Sequence, residues 1–150
     1  MSLQVWVLLR YASAVEPRAG GDHGVVADGS HVDKVKELTD GAGAEVVLDF
    51  VGEEGAEKDA WQMTRRAGSH FVIGYGGIVE VPTIEIISTE RNVIGNIVGT
   101  YNDLAELMAL AAQGKVTLHT RPYPLEAAND AIDDLDQGRL PGTRAILIPS

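Results

Sequence analysis

The sequence predicts an α/β protein built on a doubly wound parallel sheet, and three features carry that expectation. The stretch AEVVLDFVG, residues 44–52, sets Val46, Val47, Leu48, Phe50 and Val51 around a single Asp49 and stops at Gly52. A half-exposed strand alternates apolar and polar residues; a nearly continuous apolar run reads as a strand buried on both faces, which belongs to a parallel sheet. Two further short apolar runs, SHFVIGYGG and RNVIGNIVG, also end in glycine. Segments with helical spacing stand between these runs, and strands alternating with amphipathic helices make βαβ units. Such sheets take ligands just beyond the carboxyl ends of their strands.

The elements run in order along the chain. LQVWVLL reads as a strand, whereas RYASAVEPRAGG is a poor helix because Pro17 falls inside it. From residue 30 the pattern is regular. Ser30 with Asp33 three residues later predicts a capping box, Val32, Val35 and Leu38 succeed it at helical spacing, and Asp40-Gly41 stops the helix. EEGAEKDAWQMTRRAG reads as a helix with acidic residues in its first turn, Arg65 and Arg66 in its last and Gly68 just beyond. In VEVPTIEIISTE, Pro82 excludes a central strand, so an extended piece and a helical turn near 84–90 are expected.

NDLAELMALAAQG carries the clearest helical signal, with Leu104, Leu107, Met108 and Ala111 on one face, Asn102 as cap and Gly114 as stop. KVTLHTRPYP, with two prolines, is extended. LEAANDAIDDLDQG predicts a helix whose stripe is Leu125, Ala128, Ile132 and Leu135, with Asp133, Asp134 and Asp136 on a solvated face. TRAILIP is a last strand.

Composition narrows the function. With 45% hydrophobic and 23% charged residues the 150-residue chain is of the ordinary globular type, long enough for a sizeable core. A net charge of -10 argues against a nucleic-acid or anionic-membrane surface. The chain has no cysteine, which removes disulfides, thiol catalysis and a Cys-based zinc site; a reduced, cytoplasmic setting is the default expectation. His23, His31, His70 and His119 show no ligand spacing and read as ordinary surface or half-buried imidazoles. The opening apolar run is too short for a membrane span, and no signal-peptide cleavage pattern succeeds it. No side chain set suggests a catalytic group or a metal site.

Four pieces in order, ELTDGAGAEVVLDFVG, TRRAGSHFVIGYGG, STERNVIGNIVGTYNDLAELMALAAQGKV and YPLEAANDAIDDLDQGRLPGTRAILIP, resemble the C-terminal, cofactor-domain portion of a zinc-type medium-chain NAD(P)-dependent alcohol dehydrogenase. The last piece is the most telling: a Leu-x-x-Ala-x-x-Ala helix, a Gly, then a basic residue leading an apolar strand. The resemblance covers roughly residues 20–150. It implies a Rossmann-like fold in which the three strand ends lie against the nicotinamide and ribose half of NAD or NADP. Phe50, Val51 and Gly52 would form one wall; Ile73, Gly74 and Tyr75 a second, with backbone groups reaching the carboxamide; and Asn96, Ile97 and Val98 a third. Arg144 stands where the family has a late basic residue that pairs with the cofactor pyrophosphate, a task suited to a guanidinium. Glycine at positions 52 and 74 would let the backbone approach a flat ring closely.

The departures are as informative. No G-x-G-x-x-G leading a helix occurs, so the first strand and glycine-rich loop of the resembled domain are missing. The family's catalytic domain, with the Cys and His ligands of its zinc, has no counterpart here. Residues 1–19 are atypical, no acidic residue marks the expected ribose-binding position, and Arg10 near it does not choose between NAD and NADP. The whole of 1–150 is therefore expected to be one partial dinucleotide-binding domain closing with a helix and strand over 119–150, from a truncated or frame-shifted reading frame. Two readings remain: a partial alcohol dehydrogenase, inactive as this chain alone, or a non-catalytic nucleotide-binding or oligomerisation module. In either, an uncovered sheet edge is expected to make the chain a homo-oligomer.

Overall fold

The computed structural model describes residues 5–8, 22–140 and 144–149, so the poor helix and Arg10 of the N-terminal stretch lie outside the described residues. The chain divides into two compact units, 1–98 and 99–150.

In the first unit, β1 (Val5–Leu8) pairs in parallel with β2 (His23–Val26). β2 escapes the sequence pattern because four residues are too few to show a period. Helix α1 (His31–Leu38) leads to β3 (Ala44–Asp49), α2 (Ala56–Met63) to β4 (Thr64–Val72), and α3 (Thr83–Thr89) to β5 (Asn92–Gly95). The three strands form a parallel sheet in the order β3-β4-β5. Pro82 stands just before α3, where its fixed φ suits a helix start.

The start of α1 differs from expectation. Ser30 is the N-cap, but its hydroxyl donates to Asp28 Oδ1 at 2.6 Å and no capping box forms. Asp28 also accepts from the Ser30 amide and from Lys34 Nζ, and these donors hold its carboxyl well below the usual carboxylate range. At the other end, Thr39 donates its hydroxyl to Val35 O and accepts from Gly43 N, which ties the helix to the start of β3.

Helix α2 ends at Met63, five residues before the predicted stop at Gly68. Thr64 turns extended to pair with Ala44, while its hydroxyl donates back to Ala60 O at 2.8 Å. The next β3 residue in register, Val46, pairs with Ser69, so Arg65, Arg66, Ala67 and Gly68 bulge out of β4 and Arg65 reaches Glu45 at 3.0 Å. A bulge of this kind bends the strand and re-aims the residues beyond it.

The core of this unit is made by Val25, Val35, Ala56, Ala60, Trp61 and Met63, with His31, Thr64 and His70 buried among them. Trp61 is held from two sides: Nε1 donates to Glu85 at 2.7 Å and the Arg91 guanidinium lies 5.0 Å from its ring centre. The strand β3 is not buried on both faces as its apolar run suggests. Val46 and Leu48 are about half exposed, and the buried residue is Asp49. The apolar side chains of that face stay about half exposed, whereas α2 packs on β3 and β4.

The second unit contains α4 (Tyr101–Ala112), β6 (Thr120–Pro124), a 3-10 turn at Leu125–Ala127, α5 (Ala128–Asp136) and β7 (Arg144–Ile148), with β6 and β7 parallel. Helix α4 is capped by Thr100 instead of Asn102: the Thr100 hydroxyl accepts from the Asp103 amide while Asp103 accepts from the Thr100 amide. Its predicted face of Leu104, Leu107 and Met108 is exposed. The small core consists of Tyr123, Ala131 and Leu140. Leu125, Ile132 and Leu135, expected as a buried stripe, are exposed, because only the turn of α5 around Ala131 packs inward. Asp134 is no solvated carboxylate either. It accepts from Tyr123 Oη and from Arg139 Nε, each at 2.6 Å, and these bonds lower its pKa.

Every described strand pair is parallel, so the expected α/β class holds. Among the described residues no helix is long and apolar enough to cross a membrane.

Candidate functional site

Because β3, β4 and β5 run parallel, their carboxyl ends at Asp49, Val72 and Gly95 fall on one edge of the sheet. Asp49 organises that edge. Its Oδ1 accepts from the amides of Val51 at 3.0 Å and Gly52 at 2.8 Å, which turns the chain as it leaves β3. Its backbone carbonyl accepts from the amides of Ile73 at 2.8 Å and Gly74 at 2.9 Å, which fixes the end of β4. Gly77 N donates to Gly52 O, and Asn96 N to Val72 O. The first two predicted walls are thus one hydrogen-bonded bracket, and the third joins it through Asn96.

The glycines have a different reason from the one the sequence suggests. A Cβ on Gly52 would lie 2.4 Å from the carbonyl carbon of Gly74, and one on Gly74 would lie 2.3 Å from that of Val51. The two strand ends touch backbone to backbone, so glycine is required by the protein's own packing; Gly52 also has φ +62°. Beyond the bracket, Phe50 is 65%, Tyr75 92%, Ile97 90% and Val98 97% exposed. Val51, Ile73 and Gly74 are half-buried and Gly52 is buried. Asn96 donates its side-chain amide to Ile94 O at 3.1 Å. Arg144 belongs to the second unit, where it heads β7 with its amide on His119 O and its side chain exposed. The bracket and Arg144 are therefore each fixed within their own unit.

Under the bracket lies a polar group to which the sequence assigns no role. His70 is completely buried, and its Nε2 stands 3.6 Å from Asp49 Oδ2. Burial pushes the imidazole below its ordinary pKa, against the opposing pull of Asp49 and, more weakly, of Glu57. His31 is also buried, with Nε2 2.9 Å from Asp59 Oδ2 between α1 and α2. Neither is the surface or half-buried imidazole that spacing suggests; His70 faces the buried carboxylate of Asp49, and His31 the half-buried one of Asp59. The available signal is the single Asp or His interrupting an otherwise apolar strand. Among the described residues no group of three or more histidines and acids could hold a metal ion.

A parallel sheet with helices in its crossovers and glycine-bracketed strand ends defines a Rossmann-like α/β protein. The sequence profile of the zinc-binding dehydrogenases matches residues 14–113. The chain belongs to that family. It is 31% identical over 135 residues to an NAD-dependent alcohol dehydrogenase of Sulfurisphaera tokodaii, covering 88% of this chain and 39% of that protein. It is 28% identical over 113 residues to a D-arabinose 1-dehydrogenase (NADP(+)) of Saccharolobus solfataricus, covering 75% of this chain and 32% of that one. The crystal structure of the alcohol dehydrogenase from Aeropyrum pernix superposes with a TM-score of 0.84 at 37% identity, over 95% of this chain and 42% of that chain. The chain thus spans between 32% and 42% of the length of these relatives.

Proposed function

We propose that the strand-end bracket is the nicotinamide-side wall of an NAD(P) site, and that the chain is a portion of a dehydrogenase moving hydride between an alcohol and that cofactor. The observation behind this reading is the bracket itself: a rigid, glycine-lined edge at the carboxyl ends of three parallel strands, with apolar side chains standing free beyond it. When bound, NAD(P) would supply a hydride acceptor at the nicotinamide ring.

The chain's own residues would bind and orient. Phe50, Ile97 and Val98 offer apolar surface to a flat ring, and Tyr75 adds a ring with a polar tip. The amides of Ile73 and Gly74 are already given to Asp49. This wall therefore meets a carboxamide with carbonyl acceptors, into which an NH2 group can donate. Arg144 is assigned to the pyrophosphate. Zinc is a feature of the family, yet this chain has no cysteine and its described residues hold no ligand set. Activation of the alcohol oxygen is placed outside this chain, which alone is proposed to be inactive. A cytoplasmic setting belongs to the same proposal.

One observation favours a second reading, a non-catalytic nucleotide-binding or oligomerisation module. β5 is an outer strand of its sheet, with Val93 and Ile94 both exposed. An outer strand of this kind, unpaired on one side among the described strands, is a template for pairing with a second copy.

Calorimetric titration with NADH and NADPH tests the first reading. Without a glycine loop to present amide donors to the pyrophosphate, binding weaker than micromolar is expected. Arg144→Ala should weaken what binding exists by about ten-fold or more, the loss of one charged hydrogen bond, with little change in melting. No binding at millimolar cofactor would leave the module reading. A variant that binds like the parent but melts earlier would make Arg144 structural.

A further inference from the structure

The bracket is built on a carboxylate with one oxygen engaged and the other turned inward. Asp49 Oδ1 holds two amides, whereas Oδ2 is buried without a hydrogen-bond partner, as are both ring nitrogens of His70 and Oε2 of Glu57. In register, His70 lies opposite Val47, so its side chain shares a face with Asp49 two residues further along β3. The charges acting on the imidazole come from Asp49 on β3 and Glu57 on α2; its β5 partner is the uncharged Val93. Glu85 on α3 is occupied with Trp61 and Arg91. Burying polar groups in this way is costly unless they pair, which makes the pair sensitive to a single proton.

We propose that His70 and Asp49 form a proton-coupled pair in which His70 is the positioning residue of the strand-end bracket, so that the crevice wall answers to pH. The chemical basis is that Asp49 shares one carboxylate between two jobs. With His70 neutral, the charge of Asp49 is directed to the Val51 and Gly52 amides. A proton on His70 gives Oδ2 a cationic partner, draws the carboxylate toward β4, and loosens the hold on those amides. Its bearing on cofactor rests on the nicotinamide-site reading; the coupling within the bracket does not.

The sign is set by the lowered pKa of His70. The unfolded chain takes up a proton near the ordinary value of 6.5, before the folded chain does. The neutral, buried imidazole therefore supports the fold fully above pH 6.5, and that support is lost as pH falls below it.

The test is a heteronuclear NMR titration of the 150-residue chain from about pH 8 to about pH 5.5, a range that brackets the ordinary imidazole pKa. NADH affinity is followed by fluorescence over the same range. The expected result is that the Val51 and Gly52 amides move together with the His70 imidazole, at a midpoint below 6.5. In His70→Gln, which keeps a polar side chain but cannot titrate, those amides should stay fixed. NADH binding should weaken several-fold toward low pH in the parent and not in the variant. Amides that stay still while His70 titrates, or that still move in His70→Gln, overturn the pairing. If His70→Gln does not fold, the parent titration decides alone. Amides that titrate as expected in a chain that binds no NADH at the alkaline end would uphold the pair and remove the cofactor reading.

Discussion

Helices α2 and α4 are both amphipathic and both come after a strand end, yet their fates differ. Helix α2 buries Ala56, Ala60, Trp61 and Met63 within eight residues; α4, at twelve residues and with the stronger capping signal, buries none. By pattern alone α4 is the better helix. The difference lies in what each meets. Helix α2 lies on β3 and β4 and against α1, and Trp61 is fixed by Glu85 and Arg91. The Leu104, Leu107 and Met108 face of α4 meets solvent. Amphipathicity shows which face a helix can bury; only a neighbouring element makes the burial happen.

Three substitutions probe this contrast. The largest effect belongs to the bracket beside α2. Gly74→Val forces a Cβ to within 2.3 Å of the Val51 carbonyl carbon. Backbone on both sides cannot yield, so a loss above about 4 kcal/mol, in the exceptional range for single substitutions, is expected in urea denaturation. Normal stability in that variant would mean that the two strand ends stand apart in solution.

Next is Trp61→Ala, which removes a buried ring, a hydrogen bond and a cation–π contact at once. It should cost about 3–5 kcal/mol by the same measurement, as large-to-small core changes do. The smallest effect is expected at Leu107→Ala on α4, within about 0.5 kcal/mol, as for surface positions. A cost near that of Trp61→Ala would show that the α4 face is covered in solution. A light-scattering mass well above the 16.0 kDa of one chain would then identify a second copy as the cover.

Much of the fold is legible in the sequence. Apolar runs ending in glycine locate β3, β4 and β5, and Pro82 places the start of α3. The strand-end residues of the candidate site come from those runs, since a parallel sheet brings its carboxyl ends to one edge. The misses share a cause. The early stop of α2 is set by Thr64 pairing with Ala44, far back along the chain. The failed capping box at Ser30 is set by competition, because Asp28 accepts from the Ser30 amide that the box would give to Asp33, and holds the Ser30 hydroxyl as well. The Leu-rich stripe of α5 stays exposed while Ala131 goes inside. Each outcome depends on a partner that local spacing does not name.

The sequence by itself determined the α/β class, the parallel alternation, the glycines at the strand ends and the membership of a dehydrogenase family. The class, the alternation and the glycines follow from composition and period, which are written along the chain; the family follows from the resemblance of four pieces in order. Tertiary structure alone decided why Gly52 and Gly74 must be glycines, which face of β3 is buried, and that Asp49 and His70 meet. Such facts depend on distances between residues far apart in the chain. The 3.6 Å between Asp49 and His70 exists only once β3 and β4 lie side by side in register.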